Sequence, residues 1–278
     1  MWCGKQEAIV VPTKVLPDFD PSLLDAGLRE RFLSKQNGYC TNCGLFQDFN
    51  RLSVEELRRL NALGKDTLTS DAAYATYPPP DSAVRDFNER HFGRRLLRWS
   101  EYFDRAQLRV ERALFLRVWF GAGPQFAISR WGAQVSGLDM SPICLRYTRE
   151  NVPGFQALEG CIDGMLEGAF LDSEPYDAIF IFHILNHSCD VAGSLSKLHT
   201  LTRPGGFVVF TNEIERKPQN PFHNFHASEP QLRAILLDVF DRVDRISDCE
   251  EHFVPHISPY TARGDIPDLV AYRSPEPA

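Results

Sequence analysis

Seven of the eight histidines lie after residue 180, and four of them form two pairs four residues apart, His183/His187 and His252/His256. An unperturbed imidazole titrates near neutral pH and can pass a proton. Two imidazoles at i and i+4 on one helical face can also ligate a metal. The first pair follows an apolar, strand-like run and the second sits among prolines, so the helical face that ligation needs is missing. Cys40 and Cys43 in YCTNCGLFQDF form a CxxC followed by Gly44, the spacing of one zinc-ribbon knuckle. Cys3 in MWCG is also followed by glycine, like the end of a second knuckle whose first cysteine would fall before Met1. Three thiolates and a histidine such as His91 would complete a tetrahedral, structural zinc site. The alternative is a metal-free relic held by packing. A redox role is disfavoured because no helix begins at the pair. The stretch LRVWFGAGPQF, Leu116 to Phe126, is the third candidate. Gly121 and Gly123 let a ligand approach the backbone, but Arg117 and Trp119 stand beside them.

Elements must hold these groups in place. From about residue 113 the chain alternates strand-like and helix-like segments. ALFLRVWF reads as an apolar strand interrupted by Arg117, and a short helix follows. AQVSGLD, Ala133 to Asp139, is the next strand. SPICLRYTREN is a helix, capped by Ser141 with Pro142 in its first turn. GFQALEG is a short strand, and YDAIFIFHIL reads as a strand buried on both faces. VAGSLSKLHTLT is a helix stopped by RPGG, with FVVFTNE the following strand. EPQLRAILLDVF is a helix, DRVDRISDCEEH a strand with a bend, and DLVAYRS the last strand. This alternation predicts an α/β fold with a doubly wound parallel sheet covered on both sides. Upstream, PSLLDAGLRERFLS (Pro21 to Ser34) is the one convincing helix before residue 48. SVEELRRLNAL opens with a capping box, Ser53 and Glu56. YATYPPPDS is a loop, and residues 83–110 are helical with apolar positions on one face. The expected division is 1–50, 51–110 and 111–278.

Residues Arg130 to Glu213 resemble the class I S-adenosylmethionine-dependent methyltransferases. WGAQVSGLDMSP is similar to that family's second strand with its terminal acid, here Asp139. ALEGCID is similar to the third strand and its turn. YDAIFIFHILNHSCD resembles the fourth strand followed by an HxLEH element, here His183 to His187. LTRPGGFVVFTNE resembles the turn and fifth strand. The resemblance implies a Rossmann-like, mostly parallel sheet whose last strand is antiparallel, and S-adenosylmethionine as cofactor. Asp139 would accept both ribose hydroxyls, Met140 and Ile162 would flank the adenine, and Asp163 would accept from its amino group. His183 would face the cofactor from the end of the fourth strand. The family's first strand ends in an acid followed by glycines. Two registers are open here. In one, Trp119, Gly121 and Gly123 take the glycine positions and Arg117 replaces the acid. In the other, Gly121 and Gly123 are the first two glycines, Gln125 is the third position and Trp119 replaces the acid; this one keeps the phase of the following helix and is preferred. Both keep two glycines and lose the carboxylate that would hold the cofactor's ammonium.

A subgroup of the family, including sugar C-methyltransferases, carries a zinc ribbon ahead of the catalytic domain, and CGLFQDFNRLSVEEL is similar to the segment leaving it. The resemblance implies methyl transfer to a small-molecule acceptor, sugar-like or a biosynthetic intermediate. His187 and His223 are the candidate general bases; helix capping or packing is the competing role for His187. Aromatics at Tyr74, Tyr77, Trp99, Tyr102 and Phe103 are candidates for the acceptor pocket, with core packing as the competing explanation for Trp99 and Phe103. The net charge of −7 argues against a nucleic-acid surface. No apolar run reaches the roughly 18–20 residues of a membrane span. No secretion signal is evident and the seven cysteines are odd in number, so a cytoplasmic protein without a disulfide framework is expected. If Arg117 and Trp119 close the cofactor site, the expectation becomes a non-catalytic protein with a protein partner, or an enzyme using the pocket for other chemistry.

Overall fold

The computed structural model describes residues 8–12, 22, 24–34, 36–41, 46–48, 52–53, 55–56, 59, 77–139, 141–158, 174–211, 225–246 and 268–275. Three short antiparallel strands come first: β1 (Ala8–Pro12), β2 (Gln36–Cys40) and β3 (Phe46–Asp48). Between β1 and β2 runs α1 (Ala26–Leu33). It starts later than the expected Pro21, because the Asp25 carboxylate accepts the Leu28 N–H at 3.0 Å and so acts as its cap. The Ser53/Glu56 capping box is present, with Ser53 N–H on the Glu56 carboxylate at 2.7 Å and Glu56 N–H on the Ser53 hydroxyl at 3.2 Å.

The long helix α2 (Asp81–Arg105) leads into the main sheet. There follow β4 (Arg112–Leu116), α3 (Ala122–Trp131), β5 (Gln134–Leu138), α4 (Pro142–Asn151), β6 (Phe155–Leu158) and β7 (Tyr176–Phe182). A 3-10 turn, Leu185–His187, precedes α5 (Val191–Leu201), β8 (Thr202–Thr211) and the two-residue β9 (Phe225–His226). The chain then forms α6 (Glu229–Leu237), β10 (Arg242–Arg245) and β11 (Asp268–Tyr272). The seven-stranded sheet has the order β10-β11-β8-β7-β4-β5-β6, and its central pairs are parallel. Only β11 runs against its neighbours. This is the mixed α/β sheet expected of a methyltransferase-like fold, with its reversed last strand. The RPGG segment does not stop α5 from outside. It lies within β8, where the pairing with β7 shifts register between Tyr176 and Ala178.

Alternate residues of each strand feed two cores. Leu114 and Leu116 of β4 face the layer of α5 and α6. Ala113 and Phe115 face the layer of α2, α3 and α4. The second core is aromatic: the Phe115 and Phe180 rings stack at 4.5 Å, and Trp99 of α2 stacks on Phe180 and Phe182 at 5.2 and 5.3 Å. Trp99 and Phe103 are therefore core residues, 0% and 1% exposed.

Two ties fasten α2 to the reversed strand. At the start of β11 the buried Asp268 accepts from Arg95 (3.2 Å), Trp99 Nε1 (3.1 Å) and the Thr211 hydroxyl (2.6 Å). At its end the Tyr102 hydroxyl meets Tyr272 at 2.6 Å and Asp244 at 3.1 Å. Burial, followed by these two neighbours, pushes the Tyr102 phenol well above its usual range, so it stays a donor. The small sheet is joined to the rest by β9, which pairs with β3 (Phe46 with His226, Gln47 with Phe225).

Candidate functional site

The strand order reverses at β4. The chain steps from β4 to β5 and β6 on one side, then returns to place β7 and β8 on the other. In an open parallel sheet the crevice at the carboxyl ends of such strands is where ligands sit. Four residues cluster there: Arg117 and Trp119 after β4, Asp139 after β5 and His183 after β7.

Asp139 is 8% exposed. Its Oδ2 accepts the Trp119 N–H at 2.8 Å and its Oδ1 accepts the Ser141 N–H at 2.9 Å. Each carboxylate oxygen has two lone pairs, so a carboxylate can accept from more than one donor at a time. The backbone of the loop is pinned as well. The N–H groups of Arg117 and Val118 share the Leu138 carbonyl at 2.8 and 3.2 Å, and the Trp119 carbonyl accepts the Thr148 hydroxyl at 3.0 Å.

Three non-glycine residues here hold left-handed backbone: Arg117 at φ 74°, Trp119 at 54° and His183 at 46°. Arg117 reaches across the switch point. Its guanidinium donates to the His183 carbonyl at 3.0 Å and lies 4.5 Å from the centre of the Trp119 ring. The indole leans onto α2, with Phe87 at 4.4 Å and His91 at 4.7 Å between ring centres. It is 7% exposed, and its Nε1–H has no acceptor among the described residues.

The glycines do different work from that expected in the preferred register. A Cβ on Gly123 would come within 2.7 Å of the Phe115 ring, so this glycine seats α3 against β4. That is the packing role of the third glycine in a nucleotide-binding loop. Gly121, at φ 83°, begins α3 and would strike Val152 at 2.7 Å if it carried a Cβ. Close packing by Gly123 is what the other register, with Trp119, Gly121 and Gly123 in the glycine positions, would require.

His183 and His187 are buried, 2% and 4% exposed, on the strand end and the 3-10 turn. His226 is 3% exposed on β9, which lies against that turn. His226 shares the run FHNFH with His223, the candidate base of the sequence. His223, Met140, Ile162 and Asp163 lie outside the described residues, as do Cys3 and Cys43. Cys40 is buried at the end of β2. His91, the suggested fourth zinc ligand, stacks on Phe87 and Trp119. Among the described residues no group of three or more His, Cys, Asp or Glu side chains is arranged to hold a metal ion, and no step is derived through zinc.

The residues at the switch point fit a nucleoside cofactor: a buried carboxylate suited to a diol, with two polar donors beside it. Comparison with known proteins agrees. Residues 120–210 match the family described as "Methyltransferase domain". Over 167 residues the chain is 26% identical to the ubiquinone biosynthesis O-methyltransferase of Methylocella silvestris, an alignment spanning 58% of this chain and 64% of that one. The citrinin polyketide synthase CMeT domain superposes with a TM-score of 0.53 at 14% identity, over 81% of this chain and 66% of that one. An amino pentose methyltransferase from Micromonospora echinaspora, solved with S-adenosylmethionine bound, superposes at 0.50 and 11% identity, over 72% of this chain and 99% of that one. Among the described residues no helix is long and apolar enough to cross a membrane.

Proposed function

We propose that this chain, whose residues 120–210 match the family described as "Methyltransferase domain", binds S-adenosylmethionine and methylates a small-molecule acceptor. The observation that carries this reading is Asp139. It is a buried carboxylate at the end of β5, beside the switch point, with both oxygens aimed by backbone donors. Asp139 would hold the ribose hydroxyls, with Met140, Ile162 and Asp163 around the adenine and His183 at the β7 side. When bound, the cofactor supplies an electrophilic methyl group; the protein's part is to align the acceptor behind it and exclude water. His187, on the turn after β7, and His223 are the proposed proton acceptors. The small sheet and residues 51–110 would shape the acceptor side, a reading supported by β9, which joins β3 to the turn bearing His187. The curated relative is an O-methyltransferase of quinone biosynthesis, which supports an acceptor that is a biosynthetic intermediate; a sugar-like acceptor is the alternative.

Calorimetric titration with S-adenosylmethionine and S-adenosylhomocysteine tests the reading. Wild-type protein should bind both, and Asp139→Ala should bind about tenfold or more weakly, the scale of a lost hydrogen bond to a charged group. In a turnover assay with an identified acceptor, His187→Gln should lower kcat with little change in cofactor affinity. A second reading is favoured by the packing of Trp119 at the first-glycine position, 7% exposed. In it the loop is closed, and the chain is a methyltransferase-fold protein that works through a partner or through other chemistry. Absence of binding to either nucleoside at millimolar concentration would establish that second reading.

A further inference from the structure

We infer that the crevice between β4 and β7 holds its ligand by a carboxylate, gripped by the Arg117 guanidinium and the Trp119 indole N–H. The inference rests on the nucleoside-binding reading and names which end of the ligand is held. In the register that sets Arg117 at the acid's position, a cation stands where the family resemblance implies an acid suited to an ammonium group. Arg117 leaves β4 in the left-handed region and spans the switch point to the His183 carbonyl. A guanidinium carries five N–H donors, and this one makes no ion pair with a carboxylate among the described residues. The nearby Asp139 is committed to the Trp119 and Ser141 N–H groups.

The indole gives the second, independent observation. Trp119 is more than nine-tenths buried, and its Nε1–H meets no acceptor among the described residues. A buried donor without an acceptor is unfavourable until something accepts from it. The guanidinium lies 4.5 Å from the centre of the ring bearing that N–H, which brings the two donors into one neighbourhood. The left-handed backbone at Arg117, Trp119 and His183 is the kind of local strain that ligand clamps retain. An ammonium brought here would face the fixed positive charge of Arg117, whereas a carboxylate would gain charge-assisted hydrogen bonds.

The test is a titration series on the wild-type protein with three nucleosides: S-adenosylhomocysteine, its decarboxylated analogue, which keeps the amine, and its deaminated analogue, which keeps the carboxylate. The expected result is that loss of the carboxylate weakens binding by about tenfold or more, while loss of the amine has a smaller effect. In Arg117→Gln the difference between the parent and the decarboxylated analogue should shrink to what the Trp119 N–H alone supplies, and Arg117→Lys should recover only part of the lost difference, because a lysine cannot offer the planar fork. Equal binding of all three by the wild type, or a larger penalty for the missing amine, overturns the inference and leaves nucleoside binding intact. Binding of none of the three overturns both. Inorganic phosphate and acetate serve as further probes. Competition by either at the concentration that displaces the nucleoside would mean that any anion suffices and would overturn the assignment to the nucleoside's own carboxylate.

Discussion

At the scale of single residues, the loop after β4 shows two effects of opposite sign. A non-glycine residue in the left-handed region costs roughly 1–3 kcal/mol, and Trp119 bears that cost at φ 54°. Its indole is nearly fully buried against Phe87, His91 and Phe92, and removing a buried tryptophan costs about 3–5 kcal/mol. Burial therefore wins. Trp119→Gly should lose up to about 4 kcal/mol, the burial loss less about 1–3 kcal/mol of relieved strain, read by urea denaturation; a more stable variant would mean that backbone strain outweighs the burial of the ring. The place of Asp139 at the end of β5 was legible in the sequence, because an acid closes the apolar run there. The bridge from Arg117 to His183 was not, since it depends on positive φ at residues whose type gives no hint of it.

At the scale of elements, Gly123 shows how a helix and a strand are brought together. Its missing side chain is replaced by the Phe115 ring. Gly123→Ala should lift α3 from β4 and cost about 1–3 kcal/mol, the range for overpacking a tight contact. Thermal unfolding monitored by circular dichroism reads the loss, and an unchanged midpoint would leave Gly123 free for a ligand-facing role. Helix starts with a capping side chain were legible: Ser141 accepts from Cys144 N–H at 3.3 Å as its position suggests. RPGG misled because proline and glycine mark a helix stop and a bulged strand equally well. β9 was invisible, since a two-residue strand has no periodicity and its partner lies about 180 residues earlier. The parallel core strands were legible because burial on both faces makes them apolar almost throughout.

For the whole molecule, the buried set around Asp268 joins α2 to β11, one strand in from the edge of the sheet. Arg95 and Asp268 are 6% and 4% exposed. Deleting one partner leaves the other charge buried and uncompensated, which costs about 3–5 kcal/mol. Asp268→Ala should lose that much in urea denaturation, and Asp268→Asn, whose amide oxygen can still accept from Trp99 while its amide nitrogen donates to the Thr211 hydroxyl, should lose less. If both variants lose under about 1 kcal/mol, water has replaced the carboxylate and the set behaves like a surface pair. No sequence pattern announced the link, because it joins residues 173 positions apart. The position of β11, inserted between β8 and β10, also dictates a timetable. On the ribosome, β8 is finished while residues 212–267 are still to be made. At about 5–20 residues per second, that interval lasts roughly 3–11 seconds. Throughout it β8 lacks its later neighbour, so the pace of translation sets how long the edge of an apolar strand stays unpaired.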